Sequence, residues 1–218
     1  MTFLIFLAEC ALIFLTSRYV LHELWHRIHR TVKNTSVSFY LLSLIYLPGT
    51  FAHELSHFVT SVILFVKPHH MNLLPHAHES DNYYQLRFGF VQHEKTDPFR
   101  GSIIGLSPLF AGFLFFYTTF RYELFPAGTL LMNILLVYSF FSIASTMFPS
   151  RDDIRDIPIV LLIILAGMTV LFVFNIDIVP YMKSHYVIRA LSTANTFLLP
   201  ATLVNVNLAW ILYMTRKK

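Results

Sequence analysis

The sequence has 218 residues, of which 56% are hydrophobic and only 13% are charged, whereas charged residues make up roughly a quarter of an ordinary soluble domain. Its net charge of +4 lies in the connections and in the basic tail at residues 216–218, without the basic stripe or motif of a nucleic-acid-binding surface. The composition excludes an ordinary soluble domain, predicts no nucleic-acid partner, and predicts an integral membrane protein surrounded by a lipid bilayer.

Six apolar segments are long enough, or nearly so, to cross the hydrocarbon core of a bilayer, which takes about 20 mostly apolar residues per helix. They cover residues 2–15, 38–66, 101–120, 126–149, 157–175 and 190–214. The first has to continue toward Val20 to cross, and it lacks the positively charged start of a signal peptide. We therefore predict an all-α, multi-pass membrane protein of about six transmembrane helices that forms one domain over residues 1–218.

The two longest polar connections have different periodicities. In residues 18–33, His22, Trp25, His26 and His29 recur every three or four positions, which predicts a helix lying at the membrane interface. In residues 84–91, large apolar side chains alternate with other residue types, which is the period of a half-buried strand. A small β-hairpin is therefore expected in the connection after the second apolar segment.

The second apolar segment is interrupted by Pro48-Gly49-Thr50. Proline removes a backbone donor, and it breaks or kinks a helix unless neighbouring groups satisfy the carbonyl that it leaves free. We therefore expect a break or kink at Pro48. Immediately beyond this interruption the chain reads His53-Glu54-Leu55-Ser56-His57.

The His53–His57 stretch has the spacing of a metal site. Residues four apart on a helix are separated by about 40° around its axis, so His53 and His57 project from one face and can share a metal ion. Glu54 points in a neighbouring direction, from which it can act on a metal-bound water. This is the geometry of the H-E-x-x-H motif of zinc hydrolases.

The flanking sequence places this motif near the middle of a transmembrane segment. One ionisable residue at that depth costs roughly 3 kcal/mol on insertion scales, and three of them lie within five positions here. Metal ligation compensates for that cost because it pairs the imidazoles and gives Glu54 a polar partner. A metal site is therefore favoured over a purely structural cluster of hydrogen-bonded side chains.

A third ligand has to come from elsewhere, because catalytic zinc usually has three protein ligands. The fourth apolar segment ends in Pro149-Ser150-Arg151-Asp152-Asp153. Asp153 is the favoured ligand and Asp152 is the alternative. The same residues also fit an ordinary solvated loop, in which neighbouring arginines pair with the aspartates.

These motifs resemble those of the site-2 protease family of intramembrane zinc metalloproteases. In that family, H-E-x-x-H lies in one core transmembrane helix and an aspartate ligand follows two core helices later. The resemblance covers roughly residues 37–160, and it implies Zn²⁺ held by His53, His57 and Asp153, with Glu54 as the general base. Ser56 stands where the family commonly has glycine, and the aspartate lacks the family's usual Asn-x-x-Pro-x-x-x-x-Asp-Gly pattern.

The resemblance also implies a kind of substrate, namely a transmembrane protein or peptide whose peptide bonds are hydrolysed. The backbone amides of a helix are already hydrogen-bonded, so a substrate helix has to unwind before it is cleaved. The strand-like segment at residues 84–91 is a candidate for holding the unwound stretch as an added strand. A plain surface hairpin fits the same residues.

Two functions of other classes are compatible with the sequence. One is a membrane di-iron oxidase with histidine boxes, although such boxes normally lie at helix ends and Glu54 would have no role in them. Its further boxes would be drawn from His22, His26, His69, His70, His76 and His78. The other is a non-catalytic metal-binding scaffold or transporter, which would keep the metal and need no general base.

Overall fold

The computed structural model describes residues 2–72, 76–80, 83–174 and 184–216. Six α-helices make up most of this part of the chain, which confirms the prediction of an all-α protein. They are α1 (Thr2–Val32), α2 (Thr35–Ile63), α3 (Pro98–Arg121), α4 (Leu130–Thr146), α5 (Ile157–Val173) and α6 (His185–Met214). Several begin at a side chain that caps the first turn, such as Asn34 before α2 and Asp97 before α3.

Four short strands between α2 and α3 confirm the expected hairpin and change its bounds. β1 (Pro68–Asn72) pairs with β4 (Phe90–His93), and β2 (His76–Ser80) pairs with β3 (Tyr83–Arg87), both antiparallel. The two ladders follow one another along a single long hairpin. The predicted continuous strand at residues 84–91 is thus two strands, separated at Phe88 and Gly89.

Four of the described helices, α1, α2, α3 and α6, are long and apolar enough to cross a membrane, whereas α4 and α5 are apolar but shorter. Their outward faces carry large apolar side chains such as Leu44, Leu114 and Leu203, each more than half exposed. A continuous apolar surface of this size is unfavourable in water and suits a lipid environment. These features support a membrane protein.

The helix predicted at residues 18–33 is present, but it does not form an element apart from the first apolar segment. α1 continues without interruption through this segment to Val32. The segment packs along α6, because the Arg27 guanidinium donates to the carbonyl of Leu212 and Glu23 lies 3.5 Å from Arg216. These contacts with α6 hold the histidine-rich half of α1 in line with its apolar half. The local sequence does not reveal them.

The expected break at Pro48 is also absent, because α4 satisfies the backbone of α2. Proline has no N–H for the carbonyl four residues earlier, that of Leu44, and the Tyr138 hydroxyl donates to this carbonyl at 3.2 Å. Ser142 lies one turn beyond Tyr138 on α4, and its hydroxyl accepts a hydrogen bond of 2.8 Å from the Gly49 N–H. α2 therefore passes through Pro48 as one helix, in close contact with α4.

The core lies where α1, α3, α4 and α6 meet. Ile13, Phe116, Phe140, Met147 and Leu198 are each at most 2% exposed and pack together there. α2 packs beside this core against both α4 and α3. Because their contacts advance in the same direction, from Leu44 with Tyr138 to His53 with Thr146, α2 and α4 run parallel.

Candidate metal centre

The two histidines of α2 lie side by side at the centre of the molecule. Their Nε2 atoms are 3.2 Å apart, as expected for residues one helical turn apart on one face. The opposite face of the same turns is apolar and exposed, with Phe51, Leu55 and Val59 pointing outward. The helix thus directs its imidazoles inward and its hydrocarbon outward.

Backbone carbonyls orient both imidazole rings. His53 Nδ1 donates to the carbonyl of Thr146 at 2.6 Å, and His57 Nδ1 donates to the carbonyl of Ile104 at 2.8 Å. A carbonyl can only accept, so the proton of each ring lies on Nδ1 and the Nε2 lone pair is directed toward the other histidine. Metal-binding histidines are usually oriented by such a second hydrogen bond.

Asp153 supplies the third group. One of its carboxylate oxygens lies 3.3 Å from His57 Nε2, and the other lies 3.6 Å from His53 Nε2. The Ser150 N–H donates to Oδ2 at 2.6 Å and fixes the carboxylate in a tight turn. Of the two predicted candidates, the structure brings Asp153 to the histidines, whereas Asp152 lines the neighbouring cavity.

The separations of these groups are close to those around a tetrahedral metal ion. Ligand atoms bound about 2.0 to 2.1 Å from zinc in a tetrahedron lie about 3.3 Å from one another. The two histidine Nε2 atoms are 3.2 Å apart, and they lie 3.3 and 3.6 Å from different oxygens of Asp153. One ligand atom from each of the three residues lies within 4.8 Å of the other two, and within the described residues this is the one group of three or more His, Cys, Asp or Glu side chains close enough to share an ion. A small shift of the carboxylate would therefore allow two imidazoles and Asp153 to bind one metal ion.

The depth of Asp153 follows from the different lengths of two helices. α2 has 29 residues and α4 only 17, and α4 ends at Thr146, which contacts His53 well before the end of α2. The chain then forms turns over residues 151–156 beside α3. Helix α3 makes room for them with Gly105, where a Cβ atom would run into the carbonyl oxygen of Asp153. Asp153 can approach His53 and His57 because α4 ends at Thr146, beside His53, and the chain turns there.

Glu54 is buried and lines a cavity next to the metal-binding groups. This central cavity, of about 430 Å³, is bordered by α1, α2, the end of α4, the turn with Asp152 and Asp153, and residues 88–91 of the hairpin. Gly89 passes close to Glu54, since a Cβ atom there would lie 2.9 Å from Glu54 Cγ. The carboxylate, the candidate ligands and the start of β4 therefore share one space that is large enough for a peptide segment.

The other histidine pairs do not extend this centre. His22 and His26 lie next to each other on an exposed part of α1. His69 is beside Glu94 at the base of the hairpin, and the side chains of His76 and His78 lie outside the described residues. Among the described side chains, none of these histidines joins His53 and His57.

Several parts of the site lie outside the sequence prediction. Neither carbonyl that orients a histidine has a recognisable sequence signal, because any residue supplies a carbonyl. Gly89 and Gly105 did carry one, since an isolated glycine within a strand or helix pattern often marks a close approach. The face of α1 that borders the cavity, with Ser17 and Arg18, was hidden in an apparently ordinary boundary between apolar and polar sequence.

Comparisons with protein-family models, with curated proteins and with solved structures found no match to this chain.

Proposed function

We propose that this protein is a multi-pass intramembrane zinc metalloprotease similar to the site-2 protease family. The observation that carries the proposal is the cluster of His53, His57 and Asp153 beside the buried Glu54. The two histidines and Glu54 lie on a helix long and apolar enough to cross a membrane. Ionisable groups are costly at such a position. A hydrolytic metal site gives each of the four a role.

The roles of the side chains follow from their positions. His53, His57 and Asp153 would hold Zn²⁺, and their backbone partners keep the ligand atoms in place before the metal binds. Zinc, when bound, would activate a water molecule and polarise the substrate carbonyl. A carboxylate oxygen of Glu54 would accept the proton of the attacking water and deliver it to the leaving amide nitrogen.

The hairpin offers a way to present a substrate. Phe90 and Val91 of β4 line the cavity together with Glu54, and among the described residues β4 and β1 form a two-stranded sheet. An extended peptide can add to a strand edge through main-chain hydrogen bonds. We infer that an unwound segment of a transmembrane substrate binds along this part of the hairpin, with its scissile bond facing Glu54.

The decisive experiment measures metal content and cleavage together. The protein is purified in detergent, its zinc per chain is determined, and cleavage of a panel of transmembrane peptides is compared for the parent, Glu54→Gln and Glu94→Gln. Glu94 is exposed at the base of the hairpin and serves as the matched control. We expect about one zinc per chain in all three and a 10²- to 10⁴-fold loss of cleavage only in Glu54→Gln.

Three outcomes contradict the proposal in different ways. A parent protein without zinc excludes the zinc hydrolase, and iron in place of zinc favours the histidine-box oxidase. A full complement of zinc without Glu54-dependent cleavage of any peptide in the panel favours a metal-binding scaffold or transporter.

A further inference from the structure

Arg18 borders the central cavity. Phe14, Ser17, Arg18 and Leu21 recur at helical spacing on α1 and form one wall of the space that contains Glu54. Arg18 follows the apolar first half of this helix. Arginine side chains in or near apolar spans are rare, and they usually pair with a carboxylate or mark a binding pathway.

Arg18 has no carboxylate partner among the described residues. The contact it makes is with Phe14, whose ring centroid lies 5.3 Å from the guanidinium carbon. Phe14 in turn packs edge-on against Phe148 at the end of α4, with ring centroids 5.4 Å apart. The guanidinium thus rests on an aromatic support beside the candidate metal centre, and its planar set of five N–H donors is suited to an anionic group.

The other charged groups of the cavity make Arg18 distinctive. Among the described residues that line this space, Arg18 is the one Arg or Lys, and the carboxylates are Glu54, Asp152 and Asp153. Asp153 lies close to the two histidines and accepts a hydrogen bond from the Ser150 N–H. Arginine binds carboxylates through two parallel hydrogen bonds, which give both affinity and orientation. A carboxylate is therefore the ligand group that Arg18 is best suited to bind in this space.

We propose that Arg18 binds a carboxylate of the substrate close to the scissile bond. This inference rests on the proposed protease function. An extended peptide advances about 3.3 to 3.6 Å per residue, so a cavity of about 430 Å³ holds only a few residues. The preferred substrate therefore carries Asp, Glu or a free C-terminal carboxylate within about three residues of the cleaved bond.

The test separates binding from cleavage. Peptides that differ at one position, with Glu, Gln or Lys at each of the three sites on either side of the scissile bond, are bound to zinc-loaded Glu54→Gln protein. The same series is repeated with Arg18→Gln, Arg18→Lys and Arg18→Glu added. Arg30→Glu, on the exposed polar end of α1, is the matched control, and zinc content verifies that each variant is folded.

We expect the Glu peptide to bind on the order of 10- to 100-fold more tightly than the Gln peptide at one or two positions. Arg18→Gln abolishes this preference, Arg18→Lys retains part of it, and Arg18→Glu reverses it in favour of the Lys peptide. Arg30→Glu leaves it unchanged. Peptides with a free or an amidated C-terminus, tested in the same way, distinguish a terminal carboxylate from an acidic side chain.

Two results overturn the inference. One is equal binding of the Glu, Gln and Lys peptides and of both C-terminal forms. The other is an Arg18→Gln change that leaves the peptide preference intact but lowers binding to vesicles containing an anionic phospholipid, which assigns Arg18 to lipid. Cleavage by protein with Glu54 intact is scored separately. Charge-independent cleavage refutes only the role of Arg18, whereas charge-dependent binding without cleavage refutes only the protease.

Discussion

Two histidine pairs in this protein have nearly the same local geometry. The Nε2 atoms of His22 and His26 on α1 are 3.1 Å apart, and those of His53 and His57 on α2 are 3.2 Å apart. Both pairs are i, i+4 on a long helix. Helical spacing by itself therefore produces the pair, but it does not distinguish a metal centre from two neighbouring surface residues.

The surroundings of the two pairs differ in three ways. The α2 pair is oriented by two backbone carbonyls, has a carboxylate within 3.6 Å and borders a cavity. The α1 pair is exposed, and among the described residues it has no third ligand. Tertiary contacts from α3, from α4 and from the turn after α4 convert a common spacing into a candidate site.

The largest effect is expected from removing a histidine of the α2 pair. His53→Ala or His57→Ala leaves two ligands in place of three, so zinc per chain should fall from about one to near zero after dialysis. Zinc affinity should fall by more than the 10- to 100-fold that losing an outer hydrogen-bond partner costs. His22→Ala and His26→Ala are the matched controls and should keep the metal. Loss of zinc in either control would place the tight site on α1.

The next test concerns Asp153, the candidate third ligand of the α2 pair. Asp153→Asn removes the anionic charge with almost no change in shape, and we expect zinc affinity to fall at least 10-fold because a neutral amide is a poor zinc ligand. Asp152→Asn should retain zinc. Competition with a chromophoric chelator measures both affinities, and the reverse ranking would make Asp152 the ligand.

A smaller effect is expected from moving the turn that carries Asp153. Gly105→Ala places a Cβ atom against the carbonyl oxygen of Asp153, and overpacking of this kind typically costs about 1 to 3 kcal/mol. We expect lower thermal stability and weaker zinc binding. Gly167→Ala in α5, where a Cβ atom meets nothing within 4 Å, controls for the better helix propensity of alanine. Equal stabilities of the two variants would contradict the close approach of α3 and the turn.

The smallest effect is expected from removing the hydrogen bond that Tyr138 of α4 donates to α2. Tyr138→Phe leaves the carbonyl of Leu44 without its donor, and we expect a loss of about 1 kcal/mol in the free energy of unfolding. In a Pro48→Ala background, the new backbone N–H satisfies that carbonyl, and the same substitution should cost much less. A double-mutant cycle measures the coupling, and additive effects would show that Tyr138 does not compensate for Pro48.

Much of the fold could be predicted from the sequence, because a transmembrane helix and an amphipathic strand each have a local pattern. The predicted all-α class, the hairpin and the bounds of α3 to within three residues agree with the structure. The predictions from local sequence were wrong where contacts from a second helix determine how far a helix continues. α1 continues past Arg18 because α6 binds its polar half, and α2 continues past Pro48 because α4 supplies Tyr138 and Ser142.

The candidate site was predictable to the same extent. The spacing of His53, Glu54 and His57 is a local property of one helix, and Asp153 was the favoured carboxylate. The sequence could not give its depth, because that depends on where α4 ends relative to α2. Nor could it place Arg18 in the cavity, since this requires knowing which face of α1 turns toward α2. Metal binding and catalysis remain predictions that the experiments above address.

The separation of the metal ligands along the chain has a consequence for biosynthesis. His53 is 93 residues ahead of Thr146, the residue that orients it, and Asp153 follows later still. At about 5 to 20 residues per second, a ribosome needs roughly 5 to 20 s to make that stretch. We expect α2 to enter the bilayer during this time with its imidazoles and Glu54 but without the rest of the candidate centre. We therefore expect nascent chains truncated before Asp153 to retain little zinc, so that metallation follows the synthesis of α4.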